Sequence, residues 1–306
     1  MTGLAAAMET HPVVVAPGVA DPLTARLVER AGFPAVYISG GGVSNARFGV
    51  PDVGIVSRAE MTDAVAAIAG TTSVPAIADG DAGYGGPASV RATVRGYESA
   101  GAAAIHIEDQ TFPKVCGYVD GAALVSPDEM CARIEAAVRG RRSSDFQIIA
   151  RTEARVAGDI DETIRRAHRY AEAGADLLFV NALATRSDVA RLPGELPLPL
   201  LYNNAGTSSS PTLTVTDARE LGYRVLIHPT QLLRAALASM MALLEDLAAE
   251  GSLADDERRV LPFPAWLEVT GIAEAARFED ACWPALSATD PPPNRPSDRR
   301  REGGTP

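Results

Sequence analysis

Aromatic residues are scarce in this chain: Phe, Tyr and Trp make up 5% of its 306 residues, while Ala, Val, Leu and Gly dominate. A core built that way suits parallel strands covered on both faces, which favour small and branched side chains. Cysteine is rare as well. Cys116, Cys131 and Cys282 have neither metal-ligand spacing nor the even number of a disulfide framework, so a reduced compartment is expected. Positive charge is also short. With 28 Lys and Arg against 39 Asp and Glu, the formal net charge is −11. Such a chain makes a poor ligand for nucleic acid or an anionic membrane, and only Arg299-Arg300-Arg301 is locally basic. The longest apolar stretch, Leu232 to Leu247, is short and is interrupted by Arg234, Glu245 and Asp246, which excludes a membrane-spanning helix. No basic segment followed by an apolar core opens the sequence, and a cytoplasmic protein is the expectation.

What the sequence does have is hydrophobic content, 46%, arranged in alternating short and long patterns. Strands are predicted at Val13-Val15, Ala35-Ser39, Pro75-Asp79, Ala104-Glu108, Phe146-Arg151, Leu177-Val180, Pro199-Tyr202 and Arg224-Ile227. Between and after them, apolar residues recur at helical spacing over 22-32, 58-70, 87-101, 127-139, 159-174, 185-192, 214-222 and 230-250. Three helix ends echo one another, in ERAGFPAVYI, ESAGAAAIHI and AEAGADLLFV, each with a Gly where the helix must stop. Eight such units predict a (β/α)8 barrel over residues 1-250. An open doubly wound sheet is the alternative, weakened by the lack of a dinucleotide fingerprint after the first strand. Residues 251-289 form a C-terminal extension with one more helical pattern near Ala265-Arg277, and the Pro- and Arg-rich segment from Asp290 to the end is expected to be disordered.

Barrel enzymes carry their chemistry at the C-terminal ends of the strands. Those ends read Asp79-Gly80-Asp81, Glu108-Asp109-Gln110 and Arg151-Thr152-Glu153 on three consecutive strands. Carboxylates crowded on one rim repel one another, and a hard divalent cation relieves the repulsion. Asp79, Asp81 and Glu108 are therefore candidate ligands of Mg²⁺, or of Mn²⁺, each isolated acid being otherwise a helix cap. The glycines of DAGYGG let the loop after the third strand turn tightly. After the second strand, the amides of Ser39-Gly40-Gly41-Gly42 are candidates to hold a substrate carboxylate, with Tyr37 and Ser39 supplying hydroxyls; a merely flexible loop is the alternative. Cys116, two residues from Lys114 in a polar, Gly-containing loop above the expected metal, is a candidate acid/base, since a nearby cation lowers a thiol pKa. Cys131 and Cys282 fall in helical patterns and read as packing residues.

These blocks, YISGGGVSNARFGVPDVG, DGDAGYGG, IEDQTFPKVCG, IIARTEA and PLLYNNAG, in this order, resemble the isocitrate lyase/phosphoenolpyruvate mutase superfamily, and within it the branch of methylisocitrate lyase, dimethylmalate lyase and carboxyphosphonoenolpyruvate phosphonomutase. The resemblance runs from about residue 12 to 250. It implies a homotetramer, a dimer of dimers, with a C-terminal helix exchanged between subunits. It implies metal-site roles for Asp79, Asp81 and Glu108, and a substrate-carboxylate role for Arg151. Cys116 becomes the lyase acid/base with Lys114 beside it, Asp52 a substrate-proximal acid, Asn203 a residue holding the dicarboxylate product, and Ser210 a stand-in for the usual Thr. The departures are informative. Tyr118 replaces the loop His, Asn181 replaces the Glu that usually ends the sixth strand, and Gly206-Thr207-Ser208 stands where another Glu is expected. RTEA replaces the more usual RTDA, and Arg47 occupies a position where small residues are common. Tyr118 and Asn181 are accordingly counted as substrate contacts specific to this chain. The metal end of the site reads as intact and the other end as rebuilt, which points away from isocitrate or methylisocitrate as substrate.

The expected activity is a metal-dependent carbon–carbon lyase, or condensing enzyme in reverse, that acts on a small 2-hydroxy di- or tricarboxylate and releases a 2-oxo acid. The alternatives are a P–C bond enzyme of the same superfamily, a 2-oxo acid decarboxylase, and a non-catalytic binding barrel. A small carboxylate is the expected partner, with no nucleic acid and no membrane.

Overall fold

A computed structural model describes residues 3–115, 122–153, 158–207, 210–252 and 260–286. Eight parallel strands close into one barrel in chain order: β1 (Val14–Val19), β2 (Val36–Ile38), β3 (Ala76–Asp79), β4 (Ala104–Glu108), β5 (Gln147–Thr152), β6 (Leu177–Val180), β7 (Leu200–Asn203) and β8 (Val225–His228). Closure comes from β1 against β8, in register from Val14 opposite Val225 to Pro17 opposite His228. The (β/α)8 barrel expected from the alternating pattern is the fold, and the open sheet is excluded. Two apolar layers account for it. Strand residues pointing inward, among them Val14, Tyr37, Ile77, Ala104, Ile149, Leu201 and Val225, fill the interior. Their alternate neighbours, such as Ile38, Ala78, Ile105, Ile148 and Leu226, pack outward against the helices. The two-residue period of a strand assigns each to its layer.

The helices start where polar caps allow. Asp21, Ser57, Ser126, Asp159, Thr185 and Thr214 each accept a backbone N–H from the first turn that follows. The three echoed glycines, Gly32, Gly101 and Gly174, all have φ between 82° and 102°, the left-handed conformation in which a helix ends and a strand begins.

Four features differ from the sequence expectation. Strand β1 runs on through Ala16-Pro17-Gly18, residues that read as breakers. Gly18 is required there, because a Cβ would overlap the backbone of Pro229. A short helix, Leu4–Thr10, precedes the barrel; it lacks a side-chain cap, and its Leu4 and Ala7 join the interior cluster at the N-terminal end. The Gly-rich segment after β2 is not a loop. Ser39 caps a helix, Gly40–Phe48, by accepting the Gly42 N–H. Finally, the single helix expected near 265-277 is two, Phe263–Val269 and Ile272–Leu286, divided at Gly271, where φ is 80°.

The chain falls into two compact units, Met1–Ala238 and Ser239–Pro306, the division lying inside the helix Gln231–Glu250. Among the described residues no helix is long and apolar enough to cross a membrane. The tail from Asp290 onward lies outside the described residues.

The close approach at Gly18 generates a prediction. Gly18→Ala must displace Pro229 or the end of β1, so stability should fall by about 1–3 kcal/mol, as for other over-packed interiors. Urea unfolding of the two proteins checks this: a lower midpoint with an unchanged slope is expected.

Candidate active site at the C-terminal rim

The acids of the third and fourth strands are brought together by the turn that leaves β3. Asp79 ends that strand, and Gly80 follows with its N–H donated to the His106 carbonyl at 3.0 Å. A side chain at Gly80 would clash with that carbonyl, at 2.7 Å from a Cβ. Asp81 then adopts φ 46°, a conformation uncommon for a non-glycine residue. Its N–H is donated to Asp79 Oδ1 at 3.0 Å, and its carbonyl accepts the Glu108 N–H at 2.8 Å. Asp79 Oδ2 also accepts the Gly40 N–H at 3.2 Å and the Tyr37 hydroxyl at 3.4 Å. Two amides of the Gly-rich segment, Gly40 and Gly42, are thus engaged within the protein, which corrects the expectation that Gly40 offers its amide to a substrate.

Electrostatics sorts these groups. Burial would raise the pKa of Asp79, but His106, Lys114 and Arg151 outweigh it and hold the carboxyl well below its usual range. Burial, with Asp79 and Asp52 adding to it, pushes Asp81 up to about 6 against the pull of Lys114. Burial likewise drives Glu108 up to about 8, with Glu153 and Asp81 adding repulsion against Arg151 and Lys114. His106, fully buried 2.8 Å from the Tyr37 hydroxyl, falls to about 4 because burial disfavours its charge more than Asp79 favours it. Lys114, only 6% exposed, stands 2.7 Å from Asp52 and pairs also with Asp81. Burial would lower its pKa, but Asp81, Asp79 and Asp52 together keep it charged.

The fifth strand supplies the second half of the site. Arg151 Nε lies 3.2 Å from Glu108 Oε2 and 2.6 Å from Glu153 Oε1, and its guanidinium carbon stands 5.1 Å from the centre of the Phe179 ring. Glu153 in turn accepts Asn181 Nδ2 on both oxygens, at 2.8 and 3.1 Å, and Asn181 Oδ1 accepts Asn203 Nδ2 at 3.0 Å. Behind this row sits Asp109, fully buried. It accepts the Glu153 N–H at 2.9 Å and the hydroxyls of Thr152 and Tyr170 at 2.8 Å each, and it lies 3.4 Å from Arg166. Asp109 therefore fixes the end of β5 without facing the cavity.

One cavity of about 310 Å³ gathers most of the residues expected from sequence: Tyr37, Ser39, Gly41, Asp52, Asp79, Glu108, Lys114, Arg151, Asn181 and Asn203 all line it. Gly40 reaches it through Asp79, and Asp81 through Lys114. Ser210 is not among the lining residues, and Cys116 and Tyr118 lie outside the described residues. Sequence reasoning missed His106 and passed over Glu153 as a site residue. Both were within reach of the two-residue strand period, since His106 shares a face with Glu108 and Glu153 continues the face of Arg151. Thr230 and Arg234 at the cavity edge carried no signal, and Thr207 stood out only as part of Gly206-Thr207-Ser208, in place of an expected Glu. A wider, more open depression of about 540 Å³ lies outside the barrel, lined by Pro87, Ala88, Arg91, Ala132, Glu135, Ala136 and Arg139, and has no strand-end chemistry.

Among the described residues, no three His, Cys, Asp or Glu side chains form a ready-made metal cage. The donors nonetheless fit Mg²⁺, which takes one or two carboxylates and completes its shell with waters and substrate oxygens. Glu108 Oε1 is buried with no hydrogen-bond partner, a hard oxygen available to a cation, and the burial that raises the Glu108 pKa, with Glu153 and Asp81 adding to it, is a cost that a bound cation would offset.

A rim of this kind belongs to a barrel enzyme that works on small carboxylates. The chain is a member of the phosphoenolpyruvate phosphomutase family, whose model matches residues 4–248. It is 37% identical over 272 residues to 2,3-dimethylmalate lyase of Eubacterium barkeri, covering 89% of this chain and 94% of that one. It is 40% identical over 248 residues to 2-methylisocitrate lyase of Aeropyrum pernix, covering 81% and 80%. Among solved structures, oxaloacetate acetylhydrolase with the inhibitor 3,3-difluorooxalacetate superposes with a TM-score of 0.85 at 34% identity, over 90% of this chain and 94% of that one. Phosphonopyruvate hydrolase with oxalate and Mg²⁺ gives 0.80 at 31%, over 90% and 96%.

The four contacts of Asp109 generate a prediction. Asp109→Asn keeps the shape but removes the charge facing Arg166 and turns an acceptor into a donor toward Thr152, Tyr170 or the Glu153 amide. Breaking one member of a buried ion pair costs on the order of 3 kcal/mol, and a loss of that size is expected in chemical unfolding, with no substrate needed.

Proposed function

We propose that this chain is a Mg²⁺-dependent carbon–carbon lyase, with Mn²⁺ as a substitute, that cleaves a small 2-hydroxy di- or tricarboxylate to a 2-oxo acid, or runs the reverse condensation. The observation that carries the reading is the juxtaposition in one cavity of hard oxygen donors on β3 and β4 with a buried guanidinium on β5. The names of the two lyases to which the chain is similar favour it, and oxalate with Mg²⁺ in the phosphonopyruvate hydrolase structure favours a carboxylate and a divalent cation in the same kind of site.

Asp79, Asp81 and Glu108 are the residues to hold the cation. When bound, it lowers the pKa of a substrate hydroxyl and stabilises the charge of a 2-oxo acid product. Arg151 orients a substrate carboxylate with a planar fork that lysine cannot supply. Arg234, exposed at the cavity edge with a hydrogen bond to the Gly206 carbonyl, is placed to meet a second carboxylate. Loss of the hydroxyl proton to a carboxylate of the rim frees the O–H bonding pair to form the C=O bond as the C–C bond breaks. The departing carbon takes the bonding pair, and the Cys116 thiol returns a proton to it. Lys114 offsets the negative charge of Asp52 and Asp81 while this happens. The working form we propose is a cytoplasmic homotetramer in which a C-terminal helix is exchanged. The exposed Phe263, Trp266, Ile272 and Phe278 on the last two helices favour burial against another copy.

A second reading, a P–C bond enzyme, draws on the similarity to phosphonopyruvate hydrolase. Phosphorus-31 spectra of reactions with phosphonopyruvate separate the two: the lyase reading expects no new phosphorus signal.

Two outcomes test the proposal. Turnover on a panel of 2-alkylmalates and 2-alkylisocitrates should vanish in excess EDTA and return with Mg²⁺ or Mn²⁺; undiminished cleavage in EDTA would overturn the metal assignment. Cys116→Ser keeps the size but raises the pKa of the acid by several units. Its turnover should fall by about 10²- to 10⁴-fold, the usual contribution of proton transfer, with Mg²⁺ affinity unchanged in a parallel titration.

A further inference from the structure

The amide row at the rebuilt end of the site has a fixed polarity. Glu153, ion-paired with Arg151 through contacts of 2.5 and 2.6 Å, accepts hydrogen bonds and has none to give. Asn181 must therefore turn its NH₂ toward Glu153, which it does on both oxygens. Its carbonyl oxygen is then committed to the other side, where Asn203 donates to it at 3.0 Å. Nothing remains free to flip. The amide that ends the row, Asn203, has an Oδ1 with no hydrogen-bond partner, although the residue is only 8% exposed and lines the cavity.

From this row we infer that Asn203 presents a hydrogen-bond acceptor to the ligand, so the substrate carries at that point a hydroxyl, not a further carboxylate. A carboxylate there would set acceptor against acceptor in a buried place, and a bare carbon would leave Oδ1 unpaired, each at a cost in affinity. The hydroxyl concerned is distinct from the one bound at the metal end. Asn203 ends β7, and the hard oxygen donors end β3 and β4, on the opposite side of an eight-stranded barrel. Resting on the proposed 2-hydroxy acid chemistry, the inference narrows the substrate class to a small 2-hydroxy dicarboxylate bearing a second hydroxyl on the neighbouring carbon. Sites built to hydrogen-bond a substrate hydroxyl discriminate strongly against analogues that lack it.

The test is calorimetric binding of three ligands to the full chain in excess Mg²⁺. They share both terminal carboxylates and the 2-hydroxyl, and differ only at carbon 3: malate has hydrogen there, tartrate (each stereoisomer) a hydroxyl, and 3-carboxymalate a carboxylate. One stereoisomer of tartrate should bind at least about tenfold more tightly than malate, and 3-carboxymalate more weakly than either. Asn203→Leu should bring the tartrate-to-malate ratio close to one, and Asn203→Ala, which removes the same acceptor with a smaller side chain, should do the same. Tightest binding of 3-carboxymalate, a tartrate-to-malate ratio near one in the wild type, or a ratio that survives Asn203→Leu would each overturn the inference. The lyase reading fails separately. A protein that binds in the expected order yet cleaves neither the panel nor any stereoisomer of tartrate supports the inference and removes the lyase. One that cleaves 2-alkylmalates but favours 3-carboxymalate does the reverse.

Discussion

A guanidinium held between two carboxylates is the constraint on which the rim depends. Arg151 has Glu108 on one side and Glu153 on the other; both acids are withdrawn from water, and the Arg151 side chain is 12% exposed, toward the cavity it lines. An isolated charge at that depth is prohibitively costly, so each of the three is tolerable only while the others keep their places. The surrounding hydrogen bonds then follow as supports. Asp109 holds the Glu153 backbone, Asn181 occupies both oxygens of Glu153, and Asn203 is oriented by Asn181. The other acids cluster round Lys114 in the same manner, and the two groups meet at Glu108. The cavity is shaped by charge balance as much as by packing.

This arrangement gives the site two ends of different chemistry. The β3–β4 end gathers hard carboxylate oxygens of the kind that suit a divalent cation. At the β6–β7 end stand two amides, Asn181 and Asn203, and the reach of Arg151 and Glu153 connects it to the first. An amide row does what a single glutamate cannot: it transmits orientation from a buried acid to the cavity wall while adding no charge.

Much of this was legible in the residues. The strand runs, the echoed Gly at helix ends and the acids at successive strand ends carried the barrel and most of the cavity lining, because each follows from a local periodicity or a local clash. Where the reading failed, a distant contact decided. Pro17-Gly18 looks like a break until Pro229 is found against it, and Gly40-Gly41-Gly42 looks like a loop until Asp79 and Ser39 are seen to fix its first turn. Arg234 lies on the helix Gln231–Glu250, where it reads in sequence only as an interruption of an apolar stretch, and it joins the cavity wall because β8 ends beside β7 in the closed barrel. Asp109 follows Glu108 directly in sequence, but its role is set by Tyr170 and Arg166 on the helix Ile160–Glu172, far along the chain.

The short helix before β1 has a bearing on traffic through the molecule. With Leu4 and Ala7 pressed into the interior and the layer of Tyr37, Ile77, Phe179 and Leu201 above them, the barrel has a closed floor. Among the described residues the cavity is therefore reached from the C-terminal side of the barrel, where the strand-end acids and Arg151 stand, and the floor serves only as packing.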